Sequence, residues 1–383
     1  MTPSRPRRSM TRRSLLRAGA TGAAALAAGA CAYLPVSEKA VAAAAASAEA
    51  EPAVVPRIDG DLVYFNWADY VDPSVFTGFS KKYGVKIIQS NFDSMESMAA
   101  KMNAGNSYDL IFPSAKWAQR LALAGQLRRI DASTLVNAAA IFDYYPYFGD
   151  PWYDPKSAHT IPFTMYKTGI GWRQDKLGSL TGSWQDLWDP AAYGHNFLLD
   201  DRDEVLGMAA LKLGMDINTS DPDDLTRIVA LLTGLREHLR GFDSDDYDNL
   251  LDGNAWLTQA WSGDMASVMW QADDASIYGF EAASEGSPIN SDCYAIPRSA
   301  RHPGTALLFI DWMLKPENVE KNINYIGYPM PVHGSEATYA EIVQTLPQCV
   351  ITVDDLNRNL SFRNVTPAQD DARDTAWTDV KAG

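Results

Sequence analysis

From Asp61 onward the chain alternates short apolar runs with amphipathic stretches, and that alternation restricts the folds open to it. Leu62-Val63-Tyr64-Phe65 reads as a buried strand. Asp72-Pro73 then opens a helix, with Asp as the cap and Pro in the first turn, where its missing N–H costs nothing. This helix runs to Tyr83 and stops at Gly84. Val85-Lys86-Ile87-Ile88 is the next strand, and Asp93 and Glu96 have the spacing of a capping box before a helix at 98–103. Asp109-Leu110-Ile111-Phe112 is a third strand, followed by a helix from about Ser114. A similar series begins near Ile161, with strands near 169–172, 197–199 and 266–270 and helices near 204–213, 222–239 and 273–283. A strand at 293–296 precedes an amphipathic helix at 303–314. Strands and helices at this spacing predict βαβ units, an α/β fold and a mostly parallel sheet. The 383 residues suffice for two domains, each with its own core.

The first 60 residues follow other rules. Thr11-Arg12-Arg13-Ser14-Leu15-Leu16-Arg17 resembles a twin-arginine export signal. The weakly apolar stretch after it, 18–30, is too short and too small-sided for a secure membrane span. Cys31 follows Ala28-Gly29-Ala30, which is similar to a lipobox, where the thiol is acylated and becomes the mature N-terminus. Ala28 stands where Leu is usual, and the same small residues also suit ordinary signal peptidase. The expected division is a lipoprotein-type signal over 1–31 and a flexible Ala-, Glu- and Pro-rich tether over 32–56. In an oxidising exterior Cys293 and Cys349 could pair. Three cysteines without a CxxC pattern give no zinc signal, and no metal or cofactor is expected.

The formal charge of −15 understates the acidity of the rest, because six arginines and no acid lie in the first 31 residues. Such a surface repels nucleic acid and attracts cations. Catalysis is not expected: the five histidines are scattered, and no HExxH, GxSxG, P-loop or GxGxxG pattern is present. Tyr144-Tyr145, a pair that can ligate iron in exported binding proteins, lies in an aromatic loop and reads as packing. The informative feature is aromatics beside acids at strand ends. These are Asn66-Trp67-Ala68-Asp69-Tyr70, Asp200-Asp201-Arg202-Asp203-Glu204, Trp270-Gln271-Ala272-Asp273, and Asp292 with Tyr294. Ligands of open α/β sheets bind at the carboxyl ends of strands. Aromatic faces attract a cation and cover a methylene chain, at ~0.5–2 kcal/mol per contact. Carboxylates hold ammonium ends through charge-assisted hydrogen bonds.

Together these segments resemble the periplasmic spermidine/putrescine-binding proteins of bacterial ABC importers, over about residues 61–383. The resemblance rests on Phe65-Asn66-Trp67-Ala68-Asp69-Tyr70-Val71, Tyr108-Asp109-Leu110-Ile111-Phe112-Pro113-Ser114, Leu199-Asp200-Asp201 through Glu204, Ala295-Ile296-Pro297 and Ile326-Gly327-Tyr328-Pro329, in the family's order. It implies a two-lobed, type II periplasmic-binding-protein fold, each lobe a mostly parallel sheet flanked by helices. The N-terminal lobe would be 57–163 with 291–336, and the C-terminal lobe 164–290 with 337–383. Trp67, Asp69 and Tyr70 would line one wall, and Ser114 would bond an amine. Asp201 and Glu204 would face it from the other lobe. Trp270 would stack on the methylene chain, and Asp273, Asp292 and Tyr328 would hold ammonium groups. Its partners would be a polyamine, the permease subunits of an importer, and the membrane through a lipid anchor, with the chain itself a monomer that binds no nucleic acid.

Four positions depart from the family pattern. Ala68 stands for Ser or Thr, Lys116 for an aromatic, Asn290 for the aromatic two residues before Asp292, and Arg363 for Gln. If Lys116 and Arg363 point inward, the ligand is shorter than spermidine or carries a carboxylate; if they point outward, ordinary polyamine binding stands. Alternatives are a binding protein for another amino compound, zwitterionic or guanidinium, and a non-transport sensor on the same fold.

Overall fold

In the computed structural model, residues 54–382 are described, apart from 93, 94, 245 and 359. The export signal, Cys31 and all but the last residues of the tether lie outside the described residues. The alternation in the sequence is realised as a nine-stranded sheet flanked by helices. Its strands are β1 (Leu62–Trp67), β2 (Ile87–Phe92), β3 (Leu110–Ile111), β4 (Thr160–Arg173), β5 (Asn196–Leu198), β6 (Gly241–Phe242), β7 (Leu257–Trp261), β8 (Tyr278–Glu281) and β9 (Ile289–Ala295). The order is β2-β1-β3-β9-β4-β7-β5-β6, with β8 also beside β4.

Parallel pairing holds on the two flanks, where β1 joins β2 and β3, and β5 joins β6 and β7. The middle is antiparallel: β9 pairs with β3 and β4, and β4 with β7 and β8. The sheet is therefore mixed rather than mostly parallel. Its unifying element is β4, whose 14 residues pair with β9 along 160–167 and with β7 along 168–172. One hydrophobic cluster gathers Leu62, Phe112, Phe163 and Phe309, and another gathers Ile170, Trp184, Leu206 and Ile228.

The punctuation works as its chemistry dictates. The Asp72 carboxylate accepts from Ser74 N at 2.7 Å to start helix Pro73–Tyr83, and Gly84 closes it at φ 68°, a conformation glycine adopts freely. Two expected elements are corrected. Residues 266–270 belong to helix Ser262–Gln271, and the strand is β7, just before it. Residues 273–283 hold β8 where a helix was expected. An apolar run of this length does not distinguish a strand from a buried helical segment. The true strand was masked by Thr258 and Gln259, polar residues that are fully buried. Cys293 and Cys349 are both buried and not bonded to each other. Tyr145 is buried and donates to Glu336 at 2.8 Å, while Tyr144 stacks on His333, so the tyrosine pair packs against its lobe. Among the described residues no helix is long and apolar enough to cross a membrane.

Candidate functional site: a cleft of carboxylates and aromatic rings

Two strands supply the floor. Asn290 and Asp292 are two apart on β9, so the pleat puts them on one face. Their partners across the ladder are Tyr166 and Thr164 of β4. Asp292 is buried and accepts a hydrogen bond from Tyr70 Oη at 2.8 Å; the same oxygen lies 3.0 Å from Thr164 Oγ1. The turn that delivers Tyr70 runs through Asp69 at φ 52°, a left-handed position that Asp tolerates better than most residues.

The opposite wall is the first turn of helix Arg202–Lys212. Asp201 is its N-cap and accepts from Glu204 N at 3.0 Å. That bond fixes Glu204, only 3% exposed, against the floor. Glu204 Oε1 accepts from Trp261 Nε1 at 3.0 Å and from Asn290 Nδ2 at 3.4 Å. Its other oxygen, Oε2, is buried and accepts no hydrogen bond of good geometry among the described residues, though the buried Thr168 hydroxyl is near enough to favour the carboxylate. Burial, reinforced by the charge of Asp201, pushes the Glu204 carboxyl up to about 8. Burial and then the neighbouring Asp203 raise Asp201 as well. An ionised carboxylate in such a place is costly unless a cation accompanies it.

Aromatic rings complete the enclosure. Tyr328 meets Tyr70 and Tyr166 edge to face, each with centroids 5.9 Å apart, and Tyr166 lies 6.5 Å from Trp261. Tyr328 Oη donates to Asp264 Oδ1 at 2.9 Å. Gly263 makes this possible, because a Cβ there would lie 2.4 Å from the Tyr328 ring. Burial first, then Asp292 and Glu204, hold the Tyr166 phenol well above its usual value, so it stays a neutral donor.

The structure gathers Tyr70, Asp201, Glu204, Asp292 and Tyr328 as the sequence led one to expect. Ser114 joins them through its backbone, which bridges to Asp292 at the start of helix Ala115–Leu123. Trp67 is half-buried and edge-on to Phe92, Ala68 is half-buried beside it, and Asp69 is exposed. Lys116 is drawn to Asp203 at 2.6 Å, and Asn290 to Glu204. Arg363 is exposed and lies over the Trp152 ring at 5.6 Å. Asp273 is not brought to the cluster, and Trp270 reaches only its edge, where its ring lies beside Gly327, the residue before Tyr328. Trp270 ends helix Ser262–Gln271 beside Gly327, nine residues and thus about 13 Å along the helix from Trp261, and Asp273 is exposed beyond it. The tryptophan at the site is Trp261, missed with β7; Tyr166 and Asp264 were missed too. The legible signal was Trp261-Ser262-Gly263-Asp264, an aromatic strand end followed by small residues opening a helix.

A cleft between two α/β lobes, lined by aromatic rings and by buried carboxylates, suits a small positively charged solute. The chain matches the bacterial extracellular solute-binding proteins over residues 74–349 and belongs to that family, which is not a family of enzymes. It is 33% identical over 278 residues to the spermidine/putrescine-binding periplasmic protein of Salmonella typhimurium, covering 71% of this chain and 78% of that one. It is 28% identical over 346 residues to the putrescine-binding periplasmic protein PotF of Escherichia coli, covering 84% and 91%. The solved structure of the spermidine/putrescine ABC transporter substrate-binding protein PotD from Streptococcus pneumoniae superposes with a TM-score of 0.75 at 24% identity, over 85% of this chain and 99% of that one.

Proposed function

We propose that this protein captures a polyamine in the cleft and delivers it to an ABC importer. The observation that carries the reading is Glu204: a buried carboxylate with one oxygen that accepts no hydrogen bond of good geometry, beside Asp201 and across the floor from Asp292. The ammonium groups of a polyamine would offset much of this negative charge, and Tyr70, Tyr166, Tyr328 and Trp261 would cover its methylenes. The relatives named above, which bind spermidine and putrescine, support the same reading. A zwitterionic ligand is disfavoured, because Lys116 is engaged by Asp203 and Arg363 lies over Trp152. Lobe boundaries inside β4 and β9, at 163/164 and 290/291, agree with these strands crossing the molecule. Twin-arginine export, acylation of Cys31 and action as a monomer complete the proposal.

Calorimetric titration with putrescine, spermidine, spermine and γ-aminobutyrate tests it. Micromolar or tighter binding of at least one polyamine is expected. Binding of γ-aminobutyrate alone would overturn the reading.

A further inference from the structure

Lys116 opens helix Ala115–Leu123 two residues after Ser114, whose backbone bridges to Asp292. Its ammonium reaches across the cleft to Asp203 Oδ2 at 2.6 Å, with side chains 13% and 19% exposed. Asp203 shares the first helical turn with Glu204, directly after the Asp201 cap. The Lys116 charge is felt at Asp201 as well, where it opposes the upward shift. One end of the acidic wall is thus already neutralised, by a cation covalently part of the protein.

We infer that Lys116 acts as a tethered ammonium that occupies this end of the cleft and restricts the ligand to a short diamine, such as putrescine or cadaverine. The inference rests on the polyamine reading. Asp203 is unavailable to a ligand, since Lys116, Arg202 and Arg373 all lie against it. A third ligand ammonium entering there would meet Lys116 at close range in a poorly hydrated space, where like charges repel strongly. Of the acids that remain, Asp292 is on the floor and Glu204, with Asp201 beside it, is on the opposite wall, while Asp264 is engaged by Tyr328. Glu204 is held at Asn290, and Asn290 is two residues from Asp292 on the same face of β9, so the two carboxylates flank one short stretch of that strand. Two carboxylates so placed suit two ammonium groups on a short chain. A separate observation agrees: Asn290 donates its amide to Glu204, so position 290 itself adds no ring to those of Tyr166 and Trp261 beside it.

The test is calorimetry of putrescine, cadaverine and spermidine with the purified protein, with Lys116→Met, and with the double variant Lys116→Met/Asp203→Asn. Lys116→Met leaves Asp203 paired with Arg202 and Arg373 and is expected to fold, whereas the double variant removes the whole Lys116–Asp203 pair at the cost of leaving Arg373 without that carboxylate, so thermal melts of all three proteins accompany the titrations. The wild type is expected to favour putrescine or cadaverine over spermidine at least tenfold. Either variant should shift that ratio toward spermidine by about tenfold. A wild type that binds spermidine as tightly as the diamines, or a ratio unchanged in both variants, would overturn the inference and leave the polyamine reading standing. No binding of any polyamine to any of the three proteins would overturn both.

Discussion

Asp203 and Glu204 are consecutive in the chain, sit in the same helical turn, and are in opposite electrostatic states. Burial raises both, yet Lys116, Arg202 and Arg373 hold the Asp203 carboxyl well below the usual carboxylate range, whereas Glu204 is pushed up to about 8. The helix dipole favours both alike, so it does not explain the difference. Cations do: three lie against Asp203, and among the described residues none is paired with Glu204. The contrast teaches how to read an acidic cleft. The acid matched from within is part of the scaffold, and the unmatched one marks where the solute's charge goes.

Neutralising each acid in turn is the strongest way to break this comparison. Glu204→Gln should weaken polyamine binding by ~2–5 kcal/mol, since the ligand's ammonium loses a buried partner. The same change should leave the unliganded protein at least as stable above neutral pH. Asp203→Asn should do the reverse to the empty protein, lowering its stability by about 1–3 kcal/mol by stranding Lys116 and Arg373. Calorimetry and thermal melts read the two effects, and variants that behave alike would erase the distinction.

The pH dependence is a smaller effect. Glu204 titrates higher in the folded protein than its ordinary value of 4.5. Its contribution to folded-state stability is therefore fully present below about 4.5 and is lost as the pH rises through about 8. Melting temperature of the unliganded protein should fall across that window, and Glu204→Gln should flatten the fall. An ammonium favours the ionised carboxylate, so binding near neutral pH should release protons, and affinity should rise with pH by at most ~tenfold per unit. Titration in buffers of different ionisation enthalpy counts the protons; uptake on binding would reverse the assignment.

The smallest effect concerns Trp261, which stabilises the Glu204 carboxylate from the scaffold side. Trp261→Phe removes the Nε1 donor and keeps an aromatic face, and should cost about 1 kcal/mol of affinity. Trp270→Phe, far along the helix, should change affinity by less than that. Equal losses in the two variants would show that Trp270 also reaches the ligand.

The acids of the cleft were legible because their signals are local. Asp201 caps a helix and Glu204 follows at N3, a spacing that puts both at one helix start whatever the rest of the chain does. Tyr328 lies in a motif similar to a known family, and Asp292 lies three residues before another, Ala295-Ile296-Pro297. Trp261 was illegible for a tertiary reason. It ends a strand whose middle residues are polar, and those residues are buried because Gln259 Nε2 donates to the Glu204 backbone carbonyl at 3.0 Å. Only the fold reveals that partner, so the apolar run nearby drew the strand assignment to the wrong tryptophan. The pairing of Lys116 with Asp203, 87 residues apart, was beyond sequence reading for the same reason.

β4 and β9 form one antiparallel ribbon, and its register slips between Pro162 and Thr164, where proline offers no N–H to the ladder. Asp292 pairs with Thr164, right beside the slip, whereas Glu204 rides on a helix of the other lobe. On the proposed lobe division Asp292 sits at a fulcrum and Glu204 at the end of a lever arm. A slight change of twist in the ribbon barely moves the first and sweeps the second through an arc. On the proposed function, capture would then have an order: one ammonium would settle at Asp292 before Glu204 closed on the other.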